Sequence, residues 1–266
     1  MINLHGPGGY KLYSEVIDKC AIISTGIENF DKLLDGGFIT GNIYELCGSV
    51  GSGKTQICMT LAVNVCNNLP EQSVLYIDTK NDVSGHRILE IIENSERNIE
   101  NAGELMNRIK ICRALKATEL LSLLQKLTKD LDEAEGRTLG FRIIIIDSLS
   151  CLFFRFLGAD WNEGLVLLNN LASLLHFIAV EYHIAILVTN LVTSWTVDDV
   201  NDEEEELFPE QKQTPVLGRY WAHVPDTRIN VKKMENANNW LLVIMKSTTQ
   251  AFGKTANVTL TKSGAV

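Results

Sequence analysis

The chain has 266 residues, of which 45% are hydrophobic and 21% are charged, a composition typical of a soluble globular protein. This length fits one large α/β domain. The sequence contains no apolar run that approaches the roughly 18 residues of a membrane span, and its N-terminus lacks the basic and apolar segments of a secretory signal. We therefore predict no membrane contact and no secretion.

The formal net charge of −9 comes from one segment. Residues 198–210, DDVNDEEEELFPE, contain eight acidic and no basic side chains, so the rest of the chain has 24 basic against 25 acidic residues. A run of this kind is typical of a solvated loop, and the alternative is a surface that mimics DNA or contacts a basic partner. The acidity is therefore a property of this segment and not of the whole chain.

Apolar runs of strand length alternate along the chain with segments in which apolar residues recur every three or four positions. The predicted strands are 42–48, 73–78, 108–114, 142–147 and 184–190, and the helices between them are 55–69, 117–134 and 163–182. This alternation indicates an α/β fold with a mostly parallel twisted sheet and helices on both faces. The strands 227–233, 240–247 and 256–262 follow without helices between them, which predicts an antiparallel C-terminal edge.

The segment GSVGSGKT, residues 48–55, matches the phosphate-loop pattern G-x-x-x-x-G-K-[ST] at every fixed position, and we call it the phosphate loop. It follows a predicted strand and opens a predicted helix, as the pattern requires. Backbone N–H groups and the helix N-terminus attract phosphates, Lys54 reaches the β- and γ-phosphates, and the Thr55 hydroxyl can ligate Mg²⁺. The predicted nucleotide-binding residues are Gly48, Ser49, Val50, Gly51, Ser52, Gly53, Lys54 and Thr55.

Asp147 ends the predicted strand RIIIID, whose four isoleucines indicate burial. Because the carboxyl ends of parallel strands share one edge of a sheet, we expect this carboxylate beside the phosphate loop, where it can hold Mg²⁺. Capping of a following helix is the alternative role for an aspartate at this position.

Five segments together resemble the core ATPase domain of RecA-type recombinases. They are STGIENFDKLLDGGFITGNIYELCGSVGSGKTQ (24–56), VLYIDTK (74–80), IIIIDS (143–148), ILVTN (186–190) and LGRYWAHVPDTRI (217–229). Within that superfamily, LYSEVIDKCAIISTGIENFDKLLDGG and LGRYWAHVPDTR are most similar to the eukaryotic Rad-type recombinase paralogues, and especially to the D paralogue. The resemblance implies a RecA-like P-loop NTPase core.

The resemblance also implies a function. It implies an ATP-binding protein of homologous-recombination DNA repair that works in the nucleus, in a hetero-oligomer with other recombinase paralogues, and assists the strand-exchange recombinase as a subunit or assembly factor. Carried over to this sequence, the phosphate loop binds ATP, Thr55 and Asp147 hold Mg²⁺, and Arg87 packs on the adenine. Alternatively, Arg87 is an exposed helix residue.

The predicted domain organisation is an N-terminal arm at residues 1–20 followed by the ATPase core at 21–266, with an acidic loop at about 195–216. The family usually has a small helical domain ahead of the core. Since only about twenty residues precede STGI, we expect no separate N-terminal helical domain.

Two positions depart from the family pattern. Lys80 stands where active recombinases have a glutamate that activates the attacking water, and Leu191 stands where they have a glutamine that senses the γ-phosphate. A protonated lysine accepts no proton and a leucine side chain forms no hydrogen bond, so Asp78 or Asp82 would have to substitute as the base. We predict weak or absent ATP hydrolysis. Lys80 is then either an exposed loop residue or a cation near the triphosphate that favours binding.

Two loops face DNA in the family, one after the strand that ends at Asp147 and one after the VTN strand. The second loop contains the acidic segment, which should repel DNA unless it folds away. The first loop places Arg155 among four aromatic residues, Phe153, Phe154, Phe156 and Trp161. Core packing, docking of a partner protein and stacking on single-stranded DNA are the alternatives for this group.

Two other functions stay open. The phosphate loop and Asp147 also permit an active DNA-dependent ATPase that takes part directly in strand exchange. A small-molecule kinase with the same loop would need an arginine-rich lid after a helix pair, and RALKATEL at 113–120 offers one arginine.

Overall fold

The computed structural model describes residues 20–95, 99, 101–133, 140–156, 161–194, 213–234 and 238–266. The described strands are β1 (Ile22–Ile23), β2 (Phe38–Ile39), β3 (Ile43–Gly48), β4 (Ser73–Asp78), β5 (Ile109–Arg113), β6 (Phe141–Asp147), β7 (Ala185–Ser194), β8 (Gln213–Pro215), β9 (Thr227–Lys233), β10 (Asn239–Ser247), β11 (Thr255–Thr261) and β12 (Gly264–Ala265). The described helices are α1 (Glu28–Leu33), α2 (Lys54–Asn68), α3 (Gly85–Glu93), α4 (Ala102–Arg108), α5 (Ala117–Glu133), α6 (Trp161–Tyr182) and α7 (Gly218–Ala222).

Ten of these strands form one sheet in the order β12-β11-β10-β9-β3-β7-β6-β4-β5, with β8 paired to β7. Strands β9, β3, β7, β6, β4 and β5 are parallel, whereas β10, β11 and β12 continue the sheet as antiparallel strands. The predicted RecA-like α/β class, with a mostly parallel sheet and an antiparallel C-terminal edge, is therefore confirmed.

Helices cover both faces of the sheet, and strand β6 shows why its sequence allows this. Ile143 and Ile145 pack in the core under α2, α3 and α4, whereas Ile144 and Ile146 pack in the core under α5 and α6. Because successive side chains of a strand point to opposite faces, four consecutive apolar residues bury both sides. The strand therefore lies in the interior, and only its carboxyl end reaches the sheet edge.

Helix α6 is long and apolar enough, by length and composition alone, to span a membrane over Asn162–Tyr182. Core helices of folded domains pass the same test. Here Leu168, Leu171, Leu175 and Ile178 recur every three or four residues and are buried against the sheet. We therefore interpret α6 as a core helix.

The strand pair β7 and β8 borders the acidic segment. Their antiparallel register places Ser194 opposite Gln213, so the chain leaves and re-enters the described structure at neighbouring positions. Most of the predicted acidic loop, residues 195–212, lies outside the described residues, as do residues 1–19 of the predicted N-terminal arm. The extents of the arm, the core and the acidic loop stay predictions.

Candidate nucleotide site

The phosphate loop joins β3 to α2 and requires glycine at two positions where the backbone is closely approached. A Cβ atom at Gly48 would lie 2.5 Å from the carbonyl oxygen of Val231. Gly53 has a φ of 81°, and a Cβ atom there would lie 3.0 Å from Nε1 of Trp240. Glycine satisfies both constraints because it has no side chain. The loop therefore leads directly into the N-terminus of α2, the end of a helix that attracts anions.

Lys54 is buried, and its ammonium group bonds within the phosphate loop. Its Nζ donates to the carbonyl oxygens of Gly48 and Ser49, at 2.9 and 2.8 Å, and to Oγ of Ser52 at 3.1 Å. Burial lowers the pKa of Lys54 to about 8, an effect that the Asp147 carboxylate opposes and the Lys80 ammonium reinforces. A phosphate bound in the loop would favour the charged form of this lysine.

Asp147 lies at the carboxyl end of β6, where two buried hydroxyl groups hold its carboxylate. Thr189 Oγ1 donates to Oδ1 at 2.6 Å, and Tyr76 OH donates to Oδ2 at 3.0 Å. Burial and the Asp147 carboxylate raise the pKa of Tyr76 well above its ordinary value, so the phenol stays a donor. The two hydroxyls fix the orientation of the carboxylate at the sheet edge.

The end of β4 is locked to the end of β6. Thr79 Oγ1 donates to the carbonyl oxygen of Ser148 at 2.7 Å and accepts from the Ser148 N–H at 2.7 Å. Asp78 and Asp147 are paired residues in the parallel register of the two strands. These contacts place the residue after Thr79 directly beside Asp147.

That residue is Lys80, and its ammonium group lies between the two predicted Mg²⁺ ligands. Its Nζ is 3.2 Å from Oδ1 of Asp147 and 3.3 Å from Oγ1 of Thr55, and it is 3.4 Å from Oδ2 of Asp82. Burial alone would lower the pKa of Lys80, but the Asp147 and Asp82 carboxylates outweigh it and raise the pKa. Of the two readings of Lys80 that the sequence leaves open, the exposed loop residue does not fit, because its side chain is 25% exposed.

The two carboxylates that could replace the missing glutamate are already engaged. Asp78 is buried and accepts backbone N–H groups from Lys80, Asp82 and Val83 at 3.1 to 3.3 Å. Asp82 faces the Lys80 ammonium. The Asp78 carboxylate therefore holds the loop and is not a free acceptor for the proton of an attacking water, whereas Asp82 is more exposed and is paired with the Lys80 ammonium.

An open cavity of about 450 Å³ lies over these groups. Its lining includes residues 50–56 together with Lys80, Asp82, Ser148, Cys151 and Leu191. Leu191 continues β7 beside Gly48, and its N–H donates to Oγ of Ser150 at 3.1 Å. The structure thus brings both departures from the family pattern, Lys80 and Leu191, to the cavity of the phosphate loop.

Comparison with known proteins agrees with this geometry. The Rad51 family matches residues 17–264. The chain belongs to the Rad51 family. It is 35% identical to mouse DNA repair protein RAD51 homolog 4 over 230 residues. The aligned region covers 86% of this chain and 66% of the relative. It is 33% identical over 241 residues to the bovine protein of the same name, covering 89% and 70%.

A more distant relative is mouse DNA repair protein RAD51 homolog 2, at 28% identity over 258 residues, or 87% of this chain and 71% of the relative. The mouse and bovine relatives at 35% and 33% identity, which match 86% and 89% of this chain, are both named RAD51 homolog 4, the D paralogue. The predicted likeness to a Rad-type recombinase paralogue of the D type is therefore confirmed. The chain spans about two thirds of the length of these relatives.

Arg87 of this Rad51-family chain bonds to protein groups and does not line the cavity among the described residues. Its Nε donates to Oε1 of Gln56 at 2.8 Å, and its two Nη groups donate to the carbonyl oxygens of Thr261 and Lys262 at 2.8 and 3.0 Å. It also pairs with Glu90. The guanidinium thus ties α2 and α3 to the end of β11, while the predicted adenine contact stays a prediction.

Replacing Arg87 by alanine is expected to lower the free energy of unfolding by about 1–2 kcal/mol, because three hydrogen bonds and the ion pair with Glu90 are lost at a partly exposed site. Urea denaturation followed by circular dichroism measures this, and faster amide exchange in β11 should accompany it. Arg113→Ala, at an exposed arginine on β5, is the matched control. Unchanged stability together with weaker adenine-nucleotide binding would instead favour the adenine role.

Arg155, the predicted DNA contact, lies in a short turn after β6. It is exposed, and its guanidinium carbon is 5.0 Å from the centroid of the Phe156 ring. Phe153 and Phe156 are buried against α6, whereas Phe154 is exposed. Core packing, one of the three alternatives, therefore accounts for two of the aromatic residues, and the side chain of Trp161 lies outside the described part of the structure. The DNA contact of Arg155 stays a prediction.

The donor types at the site fit Mg²⁺, because one carboxylate and one hydroxyl beside a triphosphate are the usual protein ligands of this ion. The positions do not fit. Lys80 Nζ bonds both to Thr55 Oγ1 and to Asp147 Oδ1, so a metal ion at these oxygens requires the ammonium to leave. We therefore derive no chemical step through Mg²⁺ at this site.

Sequence reasoning missed the hydroxyl groups that orient Asp147. Tyr76 and Thr189 each stand in an apolar strand, in LYID and LVTN. A polar side chain within a buried strand needs a hydrogen-bond partner. This rule could have indicated that both hydroxyl groups bond to a buried acceptor. Which partner it finds depends on the strand order, since β4 and β7 flank β6.

Proposed function

We propose that this chain is an ATP-binding recombinase paralogue that acts in homologous-recombination DNA repair. It works in the nucleus as a subunit or assembly factor of a hetero-oligomer that assists the strand-exchange recombinase. It binds ATP in the cavity over the phosphate loop, and its own ATP hydrolysis is weak or absent. Any contact with single-stranded DNA is made mainly through the complex.

The position of Lys80 is the observation that carries this proposal. The loop that supplies the water-activating glutamate in active recombinases here delivers an ammonium group to within 3.2 Å of Asp147. A positioned base contributes about 10²- to 10⁴-fold to a rate. Here Lys80 stands in place of the glutamate, Asp78 is bonded to backbone N–H groups, and Asp82 is paired with the Lys80 ammonium. The loop and cavity for binding are intact. A protein that binds ATP without hydrolysing it can use the nucleotide to assemble a complex or to switch its state.

Two further observations support the biological setting. The most similar relatives reported above are named DNA repair proteins. In RecA-type proteins the nucleotide lies at a subunit boundary, and here Val50, at the tip of the phosphate loop, is 84% exposed at the mouth of the cavity. A neighbouring paralogue that covers this mouth would bury the exposed valine and complete the site.

The hydrolysis prediction is tested with purified protein, alone and in complex with a co-expressed paralogue. Steady-state ATP turnover should stay at background with or without single-stranded DNA, because Lys80 and Leu191 stand in place of the water-activating glutamate and the γ-phosphate-sensing glutamine. The double substitution Lys80→Glu with Leu191→Gln returns both family residues to the cavity. It should raise turnover at least about 10-fold, the lower range of what a general base contributes.

The single substitution Leu191→Asn is the matched control. It adds an amide at the same position on a side chain that is shorter than the family's glutamine, and it should leave turnover at background. Robust DNA-stimulated turnover by the unmodified chain, abolished by Lys54→Ala, would contradict the proposal and select the active DNA-dependent ATPase. In that case another carboxylate would act as the base.

A further inference from the structure

Lys80 occupies a defined place because its backbone is fixed on both sides. Its N–H donates to Oδ1 of Asp78 at 3.1 Å, and the preceding Thr79 is locked to Ser148 by two hydrogen bonds of 2.7 Å. Asn81, which follows, has a φ of 61° and turns the chain sharply. The side chain therefore starts from a rigid point at the sheet edge and extends into the cavity of the phosphate loop.

The ammonium group bonds to the same two oxygens that a metal would use. It is 3.3 Å from Oγ1 of Thr55 and 3.2 Å from Oδ1 of Asp147, the hydroxyl and carboxylate expected to ligate Mg²⁺. Asp82 approaches from the outer side at 3.4 Å. The carboxylate of Asp147 is buried, so the lysine neutralises a charge that would otherwise need a cation.

We propose that the Lys80 ammonium is a built-in cation that takes the place of the divalent metal, so that this chain binds ATP without Mg²⁺. The inference rests on the proposed function, since it concerns the same nucleotide site. An ammonium group has one positive charge and three donors; two of the donors face Thr55 and Asp147, and the third, which faces the exposed Asp82, can turn to a phosphate oxygen. A divalent ion at Thr55 and Asp147 would lie next to this fixed positive charge and would be repelled by it.

Several contacts favour this arrangement over simple displacement of the lysine by the metal. Mg²⁺ needs near-octahedral oxygen ligands at about 2.0–2.1 Å and keeps several waters, which requires space around Asp147. Here the Thr189 hydroxyl already bonds to one oxygen of Asp147 and the Tyr76 hydroxyl to the other. The backbone of Lys80 is held by the hydrogen bond from its N–H to Asp78. The lysine needs no such space, because its charge is already in position when the nucleotide arrives.

The test is the equilibrium dissociation constant of a fluorescent ATP analogue, measured in buffer with Mg²⁺ and in buffer with EDTA. For the unmodified chain, removal of Mg²⁺ should change the dissociation constant less than about 3-fold. For Lys80→Met, which keeps the side-chain length without the charge, binding in EDTA should weaken about 10-fold or more, and Mg²⁺ should restore it, since one charge-assisted contact contributes about this factor.

Two further variants sharpen the comparison. Lys80→Arg keeps the positive charge and should retain binding in EDTA. Lys126→Met, at an exposed lysine on α5, removes the same charge far from the cavity and should bind like the unmodified chain in both buffers. Circular dichroism and thermal melting of each variant establish that it is folded.

The outcomes separate this inference from the proposed function. If the unmodified chain binds in Mg²⁺ but loses about 10-fold or more in EDTA, and Lys80→Met shows the same dependence, the built-in cation is refuted while ATP binding stands. If the folded chain and its paralogue complex bind the analogue in neither buffer, the proposed function fails and the inference fails with it.

Discussion

Replacing Lys54 by alanine is expected to weaken binding of a fluorescent ATP analogue by about 10- to 150-fold, the range for loss of one hydrogen bond to a charged group. The ammonium of Lys54 now donates to Gly48, Ser49 and Ser52. An anionic phosphate attracts it more strongly than these neutral oxygens do. The variant loses both the contact with the phosphates and the hydrogen bonds from Lys54 to the phosphate loop.

The measurement is a fluorescence-anisotropy titration of the variant and the unmodified chain in the same buffer. Lys126→Ala, on the exposed face of α5, is the control for loss of a positive charge and should bind normally. A thermal melt of Lys54→Ala distinguishes lost binding from lost folding. Unchanged affinity of a folded Lys54→Ala variant would contradict the placement of the nucleotide in this cavity.

The second large effect concerns Glu45, a buried carboxylate in the middle of β3. Its Oε1 accepts from Asn190 Nδ2 at 2.7 Å and from Trp221 Nε1 at 2.9 Å, and its Oε2 accepts from Nε of Arg228. Arg228 lies opposite Glu45 in the register of β3 and β9, while Trp221 belongs to α7. One carboxylate thus joins three strands and a helix.

Glu45→Ala is expected to lower the free energy of unfolding by about 3–5 kcal/mol, because it leaves the Arg228 charge and two donors buried without their acceptor. Glu45→Leu combined with Arg228→Met should recover only the part of the loss that comes from the unpaired Arg228 charge, because Asn190 and Trp221 still lack their acceptor. Urea denaturation followed by circular dichroism measures both variants.

Glu119→Ala is the matched control for this prediction. Glu119 is exposed on α5, and its carboxylate lies 3.8 Å from the Lys116 ammonium. Its Oε2 also accepts from the Leu115 N–H at 2.9 Å, at an exposed site. Exposed contacts of these kinds contribute about 0–1.5 kcal/mol each, so the control should lose clearly less than Glu45→Ala. A loss of similar size in Glu45→Ala and Glu119→Ala would contradict the role of the buried network.

The fold and the phosphate loop of the candidate site could be predicted from the sequence because both depend on local patterns. Alternation of apolar strands and helices indicates the parallel sheet, and the glycines and Lys54 of the phosphate loop fix its chemistry within eight residues. Four described helices, α1, α3, α4 and α7, are not among those that the sequence pattern predicts; each has nine residues or fewer, too few to show a long periodic pattern.

By itself the sequence determined that this protein has a phosphate loop, a strand that ends in an aspartate, Asp147, and a lysine where its family has a glutamate. Only the tertiary structure decided that the Lys80 ammonium lies between Thr55 and Asp147, and that Arg87 bonds to the end of β11. The physical reason is the distance along the chain. Contacts between residues 25 to 174 positions apart depend on strand order and loop geometry, which local patterns do not specify.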